Sequence, residues 1–106
     1  MKQGDLVLVP FPFTDLSGSK IRPALVLLAT DLDVTLAFIS TQLHWQEATD
    51  LLLYPSSLNG LKKPSLIRLS KLATIDNGLA QGRLGELSPN ELGQVLANLR
   101  LLFQLE

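Results

Sequence analysis

Arg22 stands directly before Pro23 in the stretch SKIRPALVLLA, residues 19–29. The proline pushes the arginine backbone toward extended conformations. Having no N–H of its own, Pro23 marks the start of a strand rather than its middle. A guanidinium set in place this way can hold a phosphate through paired N–H donors at reduced entropy cost. With Lys20 two residues earlier, Arg22 reads as an anion clamp. The competing reading is a solvated loop edge, where charged side chains ordinarily sit.

Two other places carry polar chemistry. In FISTQLH the chain turns abruptly polar at Ser40, Thr41 and Gln42. Hydroxyls at a strand end commonly cap the following turn. Adjacent hydrogen-bonding side chains there also make a binding or catalytic position. His44 and Trp45 follow, and an indole can stack on a base. In KKPSLIRLSK, Lys62, Lys63, Arg68 and Lys71 gather four of the nine cations. Arg68 lies between Ile67 and Leu69, so strand alternation sends it to the opposite face from those two. A solvated charged face is the alternative here.

These residues need elements to position them. GDLVLVPFPF reads as a strand whose run Leu6–Val9 suits burial on both faces, ended by Pro10 and Pro12. Residues 14–20 read as a polar loop. PALVLLA and VTLAFIS are the next strands, and DLLLYP resumes a strand after the polar segment 41–50. Asn59-Gly60 marks a tight turn. SLIRLSKLATI is a strand bent near Ser70, and a short strand falls around Ala80 to Leu84. Ser88, Pro89 and Glu91 stand in register as N-cap, first-turn proline and capping-box glutamate. Leu92, Val95, Leu96, Leu99 and Phe103 then form a helical stripe, with Leu101 and Leu105 off it. The expected architecture is mainly β: a short-stranded antiparallel sheet curled into a small barrel and closed by a C-terminal helix.

Composition narrows the class. Hydrophobic residues at 46% and charged residues at 18% suit a compact globule, and 106 residues suit one domain spanning 1–106. The absence of cysteine excludes disulfides and thiolate metal sites, and the lone histidine argues against a histidine-based metal centre. No run approaches the roughly 20 apolar residues of a membrane span, and the N-terminus has too short an apolar run for a signal peptide. A soluble cytoplasmic protein is expected. The formal charge of -1 supplies no general basic field, so an anionic ligand must be held by local clustering. There is no phosphate loop and no Ser-His-Asp arrangement.

The segments in order, GDLVLVPFPFTD, KIRPALVL, FISTQ, GLKKPSLIRLSKLATI and GRLGELSPNELGQVLANL, resemble the MazF/PemK family of type II toxin–antitoxin toxins. The resemblance runs from about Gly4 to Phe103. It implies an SH3-like barrel that forms a homodimer and a cognate antitoxin with an acidic tail lying across the dimer groove. It further implies metal-independent endoribonuclease cleavage of single-stranded RNA or mRNA with no cofactor. The RNA 2′-OH attacks the adjacent phosphorus, leaving a 5′-OH and a 2′,3′-cyclic phosphate. The family's motif arginine falls on Arg22, and its strand-end threonine on Ser40 or Thr41, Ser40 first. Arg68 corresponds to a functional arginine of some members. Lys20, Gln42, Lys62 and Lys63 would contact the RNA. The sequence departs from the pattern at Ser70, where some members carry an aspartate, and in lacking a histidine in the first loop. The related CcdB toxins bind gyrase on the same scaffold. A non-catalytic binding toxin and an inactive, antitoxin-titrating member are therefore the alternatives.

Overall fold

The computed structural model describes residues 1–11 and 20–105. Its strands are β1 (Asp5–Phe11), β2 (Lys20–Ala29), β3 (Asp33–Ser40), β4 (Leu51–Leu53), β5 (Ser65–Asp76) and β6 (Gly82–Glu86), followed by helix α1 (Pro89–Phe103). Every strand pair is antiparallel, and the hydrogen-bonded order is β4-β5-β3-β2-β1-β6. This sheet curls into a half-barrel with the C-terminal helix, as the sequence predicts. The loop expected over residues 14–20 lies outside the described residues except for Lys20, as does Pro12.

Burial on both faces explains the continuous apolar runs. Alternate side chains of a strand point to opposite faces. Leu6, Leu25, Ile67 and Leu69 pack with Val95 of α1 in one cluster. Val7, Val9, Ala24, Val26, Val34 and Leu36 form a second. Each strand through the middle of the sheet thus feeds two cores.

Two prolines behave differently from the simplest expectation. Pro10 does not end β1, which continues to Phe11. The β1–β6 ladder ends at Leu8 opposite Gly82, so Pro10 sits where, among the described residues, one edge of β1 has no strand beside it. Likewise β2 begins at Lys20, ahead of Pro23. Pro23 pairs with Leu8 of β1, but the ladder to β3 starts only at Ala24 opposite Phe38. It marks the start of the second ladder rather than of the strand.

The bend in β5 falls where expected. Ala37 of β3 faces Leu72, yet the next residue, Phe38, faces Arg68. Leu69, Ser70 and Lys71 lie between these partners without a place in the β3 register. Such an irregularity bends a strand and re-aims its side chains. The short strand near the end is displaced from Ala80–Leu84 to Gly82–Glu86, because Asn77–Leu79 forms a 3-10 turn first.

The turn at Asn59-Gly60 is built around the asparagine. Its buried Oδ1 accepts hydrogen bonds from the backbone N–H groups of Ser56 (3.1 Å) and Leu61 (2.9 Å). Gly60 has φ 72, and a Cβ there would lie 2.4 Å from the Leu84 carbonyl oxygen. Only glycine combines that conformation with that approach.

Helix α1 starts as predicted. Ser88 Oγ accepts from the Glu91 N–H, and Glu91 Oε1 accepts from the Ser88 N–H at 2.8 Å. Val95 is fully buried and Leu92, Leu96 and Leu99 are half-buried. The stripe then continues through Leu102, which packs on the core, whereas Phe103 is exposed. A period of 3.6 lets the face advance by three or by four residues, and here the last step is three. Leu101 and Leu105 are exposed, as expected.

Candidate active site

The strand register gathers the polar candidates. Directly opposed residues of an antiparallel ladder share a face. Ala24 opposes Phe38, and Phe38 opposes Arg68. Arg22 and Ser40, each two residues away from the Ala24–Phe38 pair, therefore fall on that same face. Val9 opposes Arg22 on β1. The result is a cleft of about 470 Å³, on the face turned away from α1. Arg22, Ser40, Thr41, Gln42, Arg68 and Lys71 line it, over a floor that includes Val9, Ala24 and Phe38.

Lys20, Lys62 and Lys63 do not join this lining. All three are exposed, Lys20 at the start of β2 and the other two in the segment between β4 and β5. His44 and Trp45 form a short 3-10 turn beyond the cleft lining, their rings 5.0 Å apart. Trp45 is exposed, but the cleft residues do not include it.

Ser40 is the last residue of β3, and Thr41 stands beyond the strand. Ser40 Oγ accepts a hydrogen bond from the Gln42 N–H at 3.1 Å. The turn-capping role expected of a strand-end hydroxyl is thus present. It uses the oxygen as acceptor, and a hydroxyl also carries a proton to donate. Ser40 can cap its turn and still donate to an anion in the cleft.

The two cleft arginines have different surroundings. Arg22 is exposed, and among the described residues its guanidinium forms no ion pair or hydrogen bond. Arg68 lies beside two carboxylates. Its Nη2 donates to Glu47 Oε1 at 2.6 Å, and its Nε is 3.0 Å from Asp50 Oδ2. The Asp50 side chain is fully buried, and its Oδ1 accepts no hydrogen bond among the described residues. Arg68 supplies the neighbouring positive charge that such a buried carboxylate requires.

Glu47 and Asp50 are the residues that sequence reasoning missed. Ser70 Oγ donates to the same Glu47 oxygen at 3.0 Å. The hydrogen bond from Arg68, then that from Ser70, holds the Glu47 carboxyl below the usual glutamate range. The chain thus has no carboxylate at position 70, yet one reaches that hydroxyl from the 41–50 segment. The available signal was the acidic pair Glu47 and Asp50 within an otherwise polar segment. Nothing in their spacing pointed to a strand arginine 18 or more positions later.

A separate polar cluster sits on the outer edge of β1 and β6. Buried Asp5 meets Arg83 Nε at 3.3 Å and Lys2 Nζ at 3.5 Å, and Arg83 Nη2 also meets Glu86 at 2.7 Å. Burial pushes the Asp5 carboxyl up, but the Lys2 backbone N–H and the Arg83 guanidinium outweigh it and leave the group below its usual range. Hydrogen bonding to Glu86 and the charge of Asp5 raise the Lys2 amine. This cluster fastens the N-terminal segment to β6. Among the described residues, no three His, Asp or Glu side chains gather as metal ligands, and no helix is long and apolar enough to cross a membrane.

Comparison with known proteins places this geometry. The family model described as PemK-like, MazF-like toxin of type II toxin–antitoxin system matches residues 2–103. No curated protein matches. Among solved structures, the Mycobacterium tuberculosis toxin MazF-mt6 superposes with TM-score 0.77 at 20% identity, covering 96% of this chain and 98% of that one. A MazE-MazF complex from Deinococcus radiodurans gives TM-score 0.75 at 21% identity, covering 100% and 97%. An endoribonuclease in complex with its cognate antitoxin, from a mycobacterial species, gives 0.76 at 15% identity, covering 100% and 95%.

Proposed function

The chain belongs to the PemK-like, MazF-like toxin family of type II toxin–antitoxin systems, and from that premise we propose that it is an endoribonuclease cleaving single-stranded RNA in the cleft at Arg22. The observation that carries this reading is the convergence of Arg22, Ser40, Thr41 and Arg68 on one face of one cleft. Solved structures described as endoribonucleases share the fold.

The reaction is an internal transesterification. The 2′-oxygen bonds to the adjacent phosphorus, the bond from phosphorus to the 5′-oxygen breaks, and the proton lost by the 2′-OH is balanced by one gained at the 5′-oxygen. The products are a 2′,3′-cyclic phosphate and a 5′-OH. Negative charge builds on the non-bridging oxygens in between, and fixed donors aimed there are usually the largest contribution to rate. Arg22 is suited to that task because its strand and Pro23 fix its backbone and no carboxylate among the described residues occupies it. A guanidinium is a poor proton donor, so the role of Arg22 is electrostatic. Ser40, with Thr41 beside it, donates to a phosphate oxygen and orients the 2′-OH. Gln42 and Arg68 contact the strand on either side, and Lys20, Lys62 and Lys63 steer it from outside the cleft.

The same reading gives the chain a homodimeric state, a cognate antitoxin whose acidic tail lies across the dimer groove, and a cytoplasmic place of action. The test is cleavage of a mixed-sequence single-stranded RNA in EDTA with mapping of the new 5′ ends. Discrete cuts with 5′-OH ends are expected. An intact RNA after prolonged incubation with folded protein would remove the nuclease reading and favour a binding toxin on the same scaffold.

A further inference from the structure

Glu47 occupies Arg68 as an anion would. One of its carboxylate oxygens receives two donors, Arg68 Nη2 at 2.6 Å and Ser70 Oγ at 3.0 Å. Lys71, also on the cleft, adds its charge from nearby. Two converging donors with a cation behind them are a small anion-binding seat, and carboxylate and phosphate oxygens make equivalent demands on it.

The two carboxylates beside Arg68 are not equivalent. Asp50 is a permanent neighbour: its side chain is fully buried, and its Oδ2 also accepts from the Glu47 backbone N–H at 2.9 Å. The Asp50 N–H in turn donates to the Glu47 carbonyl at 3.1 Å, closing a tight turn. Glu47 is tied by its backbone, while its side chain is 50% exposed. Rotation of that side chain vacates the seat without disturbing the turn and leaves Arg68 beside the counter-charge of Asp50. An exposed ion pair of this kind is weak enough to exchange.

We propose that Arg68 Nη2 and Ser70 Oγ form a phosphate-binding subsite, filled in the free protein by Glu47 and taken over by a backbone phosphate of the bound strand. The proposal rests on the RNA reading above for the identity of the incoming anion. Glu47 is then an internal competitor that weakens RNA binding at the cleft. The bulge of β5 gives the subsite its form, because it turns Ser70 and Lys71 out of the regular strand register beside Arg68.

The test is equilibrium binding of a 2′-O-methyl RNA oligonucleotide, which cannot be cleaved, to the full chain and to Glu47→Gln, Glu47→Ala and Ser70→Ala variants. Removing the carboxylate is expected to tighten binding about two- to five-fold, the equilibrium effect of an exposed ion pair. Combining Glu47→Gln with Ser70→Ala should cancel most of that gain. Equal or weaker binding by folded Glu47→Gln and Glu47→Ala proteins would overturn the proposal and make Glu47 a positioning residue. Inorganic phosphate, followed by the NMR signal of the Arg68 guanidinium, separates this from the RNA reading. A shift at lower phosphate in Glu47→Gln than in the parent supports the subsite even if no oligonucleotide binds. Coincident phosphate titrations alongside unchanged RNA binding would remove the subsite and leave the RNA reading standing.

Discussion

The two walls of the cleft carry the same side chain in opposite circumstances. On β2, Arg22 is exposed and free of carboxylate partners among the described residues. On β5, Arg68 is held beside buried Asp50 and half-exposed Glu47. A guanidinium already neutralised contributes little field to a substrate, whereas an unpaired one contributes its full charge. On the proposed reading this difference divides the labour: the β2 wall serves the reacting phosphate, and the β5 wall, built into the fold through Asp50, takes a neighbouring phosphate by exchange with Glu47.

The sharpest break in this comparison is stability. Arg68→Ala leaves Asp50 buried without its counter-charge and should cost about 3–5 kcal/mol. For a domain of this size each kcal/mol lowers Tm by roughly 4–8 °C. A thermal melt read by circular dichroism measures it. Adding Asp50→Asn to Arg68→Ala should recover much of the loss, because the orphaned charge is gone. A melt of Arg68→Ala matching the parent would show that Asp50 needs no partner there.

Ser40 sharpens the other wall. Its hydroxyl is assigned both a turn-capping and a phosphate-donating role, so Ser40→Ala should lower the cleavage rate by about ten- to a hundred-fold, as expected for a hydrogen bond to a charged group. Ser40→Thr keeps the hydroxyl and should restore most of the rate. Single-turnover kinetics distinguish the two. A Thr41→Ala variant more impaired than Ser40→Ala would transfer the role one residue along.

The smallest effect is the acid response. The Glu47 pKa is lowered in the folded protein, so its contribution is present above the ordinary glutamate range and is lost as pH falls through the lowered value. Asp5 acts in the same direction at the other edge of the sheet. The parent should therefore lose stability on acidification, and Glu47→Gln should lose slightly less over the same interval. Denaturant melts at descending pH would detect this, and parallel curves would remove Glu47 from the account of acid sensitivity.

Much of this frame was readable from residues. Period two separated Arg68 from Ile67 and Leu69, the capping box located α1, and Ser70 marked the bend of β5. Pro10 and Pro23 were harder, since a proline's meaning depends on which side of its strand has a neighbour, and that is a property of sheet order. The cleft itself was half legible. Arg22 and Ser40 announced themselves by local chemistry, but their shared face depends on the pairing of β2 with β3. Glu47 and Asp50 were not legible, because a loop carboxylate meeting a strand arginine is a tertiary fact with no period in the sequence. The family resemblance supplied roles for Arg22 and Arg68, and the missing aspartate at Ser70 drew attention to the place where Glu47 arrives.

The central claim is that Arg22, free of carboxylate partners among the described residues, stabilises the reacting phosphate. Single-turnover cleavage of one single-stranded RNA by the parent and by Arg22→Ala, with thermal melts on the same preparations, tests it most directly. The account predicts a rate loss of about 10²–10³-fold or more, with stability changed by no more than about 0.5 kcal/mol. Cleavage by Arg22→Ala at the parent's rate would contradict it, and would place the reacting phosphate away from the β2 wall.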